Sequence, residues 1–197
     1  KACDEYIDAL IAEIGYVGGQ YQGKKKVTGL YFGGGTPALA VERIGEIIAA
    51  VEEHFEITEG IGLELHPTDV NIRTLKVLKE AGITKISIGI QSFSEKFRNI
   101  LGRSEICVER MTEALREVPF ETVSADFIFA LPGQTIDDLK TDIDTAFEMG
   151  ANHIAAYPFI DFTFTESKVK ALGKKKKRQL LDQLTAYCDE KGLTRNS

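Results

Sequence analysis

The chain has only three cysteines in 197 residues, Cys3, Cys107 and Cys188, and they stand too far apart for a local metal knuckle. An odd, sparse set of this kind suits reduced thiols rather than a disulfide framework. No apolar run reaches the length of a membrane span and no signal-peptide pattern is present, so the expectation is a soluble, cytoplasmic protein. Nor is there an excess of positive charge. Against 24 Lys and Arg stand 30 Asp and Glu, and the net charge of -6 argues against a nucleic-acid partner. Internal repeats and low-complexity linkers are also missing. Lys1 is not a natural start residue, so the chain is expected to be cut from something longer.

What is present is 43% hydrophobic residues, enough for one substantial core, arranged around Tyr31-Phe32-Gly33-Gly34-Gly35-Thr36-Pro37. Residues 27–32 read as a buried strand. The pattern Ile44, Ile47, Ile48, Val51, Phe55 that follows is helical. Three consecutive glycines leave backbone N–H and C=O groups with no Cβ to keep a ligand away, and Thr36-Pro37 is a helix-entry signal. The stretch is either a ligand-binding turn or a strand-to-helix turn that needs unusual backbone angles. It is not a dinucleotide fingerprint, which requires a glycine at the sixth position, nor a P-loop, which requires Gly-Lys-Ser/Thr.

Elsewhere the apolar periods predict an amphipathic helix over about 3–17, a strand at 61–65, a helix on Ile72, Leu75 and Leu78 stopped by Gly82, and a strand at 84–90. Val108, Met111, Leu115 and Val118 predict a helix, 121–130 a strand, Ile136, Leu139, Ile143 and Phe147 a helix, and 152–157 a strand. Five strands alternating with helices imply parallel strands joined by right-handed crossovers. Residues 158–173 read as irregular, and Lys174-Lys175-Lys176-Lys177-Arg178 opens a helix on Leu180, Leu181, Leu184 and Tyr187. That basic run reads either as the solvated first turn of its helix or as a nucleic-acid contact, and Lys24-Lys25-Lys26 either as a solvated loop or as a phosphate-facing patch.

Residues two apart on a strand share a face. Leu63 and Leu65 therefore leave Gly62, Glu64 and His66 opposite. Ile86, Ile88 and Ile90 leave Ser87, Gly89 and Gln91, and Val123, Phe127 and Phe129 leave Ser124 and Asp126. A second face collecting Glu64, Gln91 and Asp126 near strand ends suits the polar lumen of a closed or partly closed barrel better than a flat sheet covered on both sides. Taken singly, each is also a plausible cap or loop partner, and Arg103 is either a bidentate carboxylate clamp or a surface ion pair. His54 reads as a solvated residue at a helix end. His66 and His153 lack a close second His or Cys to make a metal site.

The ordered series Tyr31-Phe32-Gly33-Gly34-Gly35-Thr36-Pro37, Glu64 with Pro67, Ile88-Gly89-Ile90-Gln91-Ser92-Phe93, Leu101-Gly102-Arg103, Asp126 with Leu131-Pro132-Gly133-Gln134-Thr135, and 153–157 resembles radical S-adenosylmethionine enzymes of the oxygen-independent coproporphyrinogen III oxidase type, a family that includes haem chaperones. The resemblance covers about 1–160 and implies a partial parallel (β/α)6 barrel, with 161–197 an irregular segment and helix leading to a C-terminal domain. It implies a 4Fe-4S cluster and S-adenosylmethionine as cofactors, a 5′-deoxyadenosyl radical, a porphyrin or haem-like substrate and an external electron donor. By the same resemblance Gly34, with Gly33, Gly35 and Thr36, meets the methionine amino group, and Glu64 holds the same cofactor. Gln91, Arg103, Asp126 and Pro158 match contacts to a second S-adenosylmethionine.

The family's Cys-x3-Cys-x2-Cys motif does not occur in these 197 residues. In the family's order it precedes the first residue here, so the barrel is expected to lack its first strand. The chain by itself is then expected to hold no catalytic or metal-ligating residue and to be inactive. Where many relatives carry Pro-Gly-Thr, this chain has Phe162-Thr163-Phe164-Thr165, which leaves the substrate open. A haem-binding chaperone on the same fold, or a parallel α/β domain for another metabolite, are the alternatives.

Overall fold

Strand and helix alternate along the chain because the apolar residues recur at every second position and then at every third or fourth. In the computed structural model, which describes residues 2–103, 105–160 and 170–194, the elements run α1 (Ala2–Gly18), β1 (Lys25–Val27), β2 (Leu30–Phe32), a 3-10 segment (Pro37–Arg43), α2 (Ile44–His54), β3 (Phe55–Ile57) and β4 (Ile61–Leu65). Then come a 3-10 turn (Pro67–Asp69), α3 (Ile72–Glu80), β5 (Lys85–Gln91), α4 (Glu95–Ile100), α5 (Val108–Glu117), β6 (Thr122–Phe129), α6 (Ile136–Met149), β7 (His153–Pro158) and α7 (Lys174–Glu190). The main sheet has the order β2-β4-β5-β6-β7, and β1 pairs with β3 in a second, two-stranded sheet. The pairs β1 with β3, β2 with β4 and β4 with β5 are parallel. The Phe162-Thr163-Phe164-Thr165 stretch, expected to be irregular, lies outside the described residues.

Two compact units make up the chain. Unit 1 comprises Lys1–Gly89 and Cys107–Ser124, and unit 2 comprises Ile90–Ile106 and Ala125–Ser197. In unit 1 the buried stripe of α2 (Ile44, Ile47, Ile48) and that of α3 (Leu75, Leu78) join Leu63, Leu65, Ile86 and Ile88 in the core, each large side chain contributing about 1.5–3 kcal/mol by leaving water. Arg43 sits between helices, donating to Asp8 of α1 at 2.7 Å and to Glu46 of α2 at 2.6 Å. In unit 2 Phe129, Leu139, Ile143, Leu180 and Leu184 form one apolar cluster. Helix α6 begins at a reciprocal Thr135–Asp138 capping box and ends on Gly150 at φ 115°.

Three expectations need correction. Residues 27–32 are not one buried strand: the chain breaks at Thr28-Gly29, β1 and β2 pair with different partners, and Tyr31 is exposed. Phe55 does not continue α2 but opens β3, because its backbone turns extended (φ -127°, ψ 143°) directly after His54. His54 is not simply solvated. Its half-buried ring occupies the space over Gly18, where an added Cβ would fall 2.2 Å from the imidazole Cγ. Helix α4, six residues long, has too little sequence to show a period.

Candidate functional site

The β2–β4 register pairs Leu30 with Ile61 and Phe32 with Leu63, so the next residues, Gly33 and Glu64, fall abreast. The Gly34 N–H donates to Glu64 Oε2 at 3.2 Å. A Cβ at Gly33 would stand 3.1 Å from Glu64 Oε1, so only glycine leaves the carboxylate its place without a shift. Gly34 itself has φ 104°, a region that side-chain-bearing residues avoid. Residues 33–36 are exposed and Glu64 is half-buried beneath them. Thr36 leads into the 3-10 segment with Pro37 at its first turn and makes no capping side-chain hydrogen bond. The result is a bare backbone turn floored by a carboxylate. Acceptors of this kind, backbone carbonyls and a carboxylate, suit a ligand carrying an ammonium group.

Unit 2 holds the remaining expected residues. Gln91 is the last residue of β5, Asp126 lies within β6, Pro158 ends β7 and is exposed, and Arg103, also exposed, follows the turn that closes α4. The Arg103 N–H donates to the Arg98 carbonyl at 2.9 Å. Among the described residues, the only non-glycine residues with positive φ are Gln91 (67°) and Ala130 (66°), each at the C-terminal end of its strand. Such backbone costs about 1–3 kcal/mol, persists only where surroundings enforce it, and concentrates at functional sites.

Each strained strand end is fastened by a buried polar side chain. After Ala130, the Gln134 side chain accepts from the Leu131 N–H at 3.2 Å and reaches the Ile128 carbonyl at 3.4 Å. After Gln91, the Ser92 hydroxyl donates to Asp142 Oδ2 at 2.8 Å and the Phe93 N–H donates to Asp142 Oδ1 at 2.7 Å. Arg98, also buried, donates to the Ser92 and Phe93 carbonyls. Burial pushes the Asp142 carboxyl up to about 6, against the Phe93 and Ser92 hydrogen bonds that hold it down. Asp138 raises it further and the Arg98 guanidinium opposes that. Sequence reading missed Asp142. The signal was there: 139, 142, 143 and 146 form one helical stripe, and a carboxylate in that stripe has to be buried.

His66 is spent locally, its Nδ1 lying 2.7 Å from Thr68 Oγ1 at the start of the Pro67–Asp69 turn. Cys3 and Cys107 are exposed and Cys188 is half-buried. Among the described residues no group of three or more His, Cys, Asp or Glu side chains is placed to hold a metal ion. No described helix is long and apolar enough to cross a membrane.

Parallel strands joined by helices, with the glycine turn after β2 lying on a carboxylate from its sheet neighbour β4, define an α/β protein with an exposed, acceptor-bearing turn at a strand C-terminus. The Radical SAM superfamily model matches residues 7–146, and the chain belongs to that family. It is 33% identical over 162 residues to the haem chaperone HemW of Lactococcus lactis, covering 80% of this chain and 41% of that one. It is 26% identical over 161 residues to the oxygen-independent coproporphyrinogen III oxidase of Pseudomonas aeruginosa, covering 78% of this chain and 35% of that one. The solved coproporphyrinogen III oxidase HemN of Escherichia coli superposes with a TM-score of 0.80 at 22% identity, over 96% of this chain and 46% of that one. The fold is thus the α/β barrel type of that radical enzyme, and the chain spans less than half the length of these relatives.

The family's two cofactors, S-adenosylmethionine and a 4Fe-4S cluster, fit this chain unequally. The open glycine turn over Glu64 has the acceptors and the space for an amino acid ammonium. The cluster has no ligand set here: the cysteine motif does not occur in the 197 residues, and Cys3, Cys107 and Cys188 are not grouped.

Proposed function

We propose that this chain is the S-adenosylmethionine-holding part of a radical S-adenosylmethionine enzyme that acts on a porphyrin or haem-like molecule. The observation that carries the reading is the Gly34–Glu64 contact, which joins two motifs thirty positions apart into one acceptor-rich surface. S-adenosylmethionine, reduced at a 4Fe-4S cluster held by residues other than these, supplies the oxidising radical for such chemistry. The part played by this chain is binding and orientation. Carbonyls of residues 33–35 accept from the methionine ammonium, Gly33 keeps the space over Glu64 clear, and Glu64 offers the negative charge that an ammonium or sulfonium prefers. Gln91, Arg103, Asp126 and Pro158 serve a second S-adenosylmethionine, with Arg103 for its carboxylate and Asp126 for its ribose hydroxyls. An external donor provides the electrons.

A second reading, a haem chaperone whose task is haem transfer, is favoured by the higher identity to the Lactococcus lactis protein. Both readings are separated by one experiment on the full-length protein, reconstituted without oxygen using iron and sulfide. Cleavage of S-adenosylmethionine that rises with coproporphyrinogen and is lost in Glu64→Ala supports the enzyme. Stable haem binding with no such stimulation supports the chaperone, and absence of S-adenosylmethionine binding overturns both.

A further inference from the structure

The turn after β5 is built in an unusual way. The Ser92 N–H donates to the Ile90 carbonyl at 2.9 Å across Gln91, whose φ is 67°. An i to i+2 hydrogen bond with positive φ at the central residue is the rare, strained form of γ-turn. Left to itself, a residue with a side chain relaxes out of that geometry. What prevents it is a set of bonds made by the next two residues and not by Gln91. Ser92, fully buried, donates its hydroxyl to Asp142 and accepts the Ser94 N–H at 3.1 Å, and Phe93 gives its N–H to the same carboxylate. Asp142 is only 2% exposed and receives two hydrogen bonds from residues fifty positions earlier in the chain. A buried carboxylate is costly, and an apolar residue in the same stripe of α6 would serve the core better. Its presence is explained by what it grips.

We infer that Asp142 is a positioning residue: through Ser92 and Phe93 it locks the γ-turn that aims the Gln91 amide, and so sets affinity for the S-adenosylmethionine that Gln91 contacts. The inference rests on the proposed ligand role of Gln91. Because both Asp142 oxygens are occupied by the loop, the carboxylate acts on the ligand only through the loop's geometry.

The test is a double-mutant cycle on S-adenosylmethionine binding to the reconstituted full-length protein, measured calorimetrically, together with amide exchange at Phe93. Gln91→Ala weakens binding roughly tenfold, as expected for one lost polar contact. Asp142→Ala weakens it by a similar factor when Gln91 is present, speeds exchange at Phe93, and has no further effect on the Gln91→Ala protein, because there is then no amide left to aim. Asp142→Asn, which keeps the acceptor for the Phe93 N–H and the volume, restores most of the affinity. If the alanine variant does not fold, Ser92→Ala, which removes the hydroxyl that Asp142 grips, carries the same cycle. Equal losses in the presence and absence of Gln91 make Asp142 merely structural and overturn the inference while leaving Gln91 its role. An unchanged affinity in Gln91→Ala removes that role from Gln91, and the inference with it.

Discussion

The Gly34 amide and the Glu64 carboxylate lie 3.2 Å apart, brought together by the parallel register of β2 and β4 rather than by closeness in sequence. A glycine turn and a lone strand-end carboxylate each have ordinary structural explanations. Placed against one another, on an exposed surface at strand C-termini, they make a patch whose chemistry is that of an acceptor.

Gly33→Ala separates binding from folding. The added Cβ meets the mobile end of Glu64 at 3.1 Å, so the carboxylate swings aside at little cost to the fold. Thermal denaturation is expected to shift by no more than about 1 kcal/mol in stability, while S-adenosylmethionine affinity, titrated calorimetrically, falls roughly tenfold.

Gly34→Ala behaves differently. An added Cβ there meets no atom, yet the backbone stands at φ 104°, where alanine is strained by about 1–2 kcal/mol. Urea denaturation should register that loss even with no cofactor present, whereas Gly35→Ala, at an open position without positive φ, leaves stability unchanged.

Asp142 should leave a signature in the pH dependence of stability. Its carboxyl is raised by burial from the ordinary value of 3.8 to about 6 in the folded chain. The folded state therefore keeps a proton that the unfolded state releases between those values. The stability linked to this group is full below about pH 4 and is lost as pH rises through about 6, by up to about 3 kcal/mol. Denaturation at pH 4, 5, 6 and 7 should show Asp142→Asn gaining on the parent protein as pH rises. A difference that stays constant across this range would contradict the assignment.

Gln134 ties the strained end of β6. It is 6% exposed, and its side chain serves the Leu131 N–H and the Ile128 carbonyl. Gln134→Ala leaves a buried N–H without a partner and is expected to cost about 1–3 kcal/mol in chemical denaturation.

Much of this architecture was legible because parallel strands in α/β proteins carry dense apolar runs and their crossover helices a strong stripe. Ile86, Ile88 and Ile90, or Leu75 and Leu78, leave little choice of element or face. Glu64 and the glycine turn were legible as candidates by face and by family motif. Their contact was not, since it depends on which strands are neighbours. The break at Thr28-Gly29 escaped because a three-residue strand has no period to read. Asp142 escaped for a different reason. A polar residue inside an apolar stripe is discounted by pattern matching, although it is the departure from the pattern that carries the information.

Parallel pairing also constrains how the chain is made. Leu30 finds its partner only in Ile61 and Lys25 only in Phe55, so neither pairing closes through a tight hairpin. During synthesis the glycine turn emerges from the ribosome well before Glu64 does, and for that interval β2 exposes a hydrogen-bonding edge with nothing alongside it. Contact between the glycine turn and Glu64 therefore waits for the arrival of β4 and is coupled to closure of the α2 crossover, and substitutions that slow α2 should raise the risk of aggregation during translation more than they lower the stability of the finished fold.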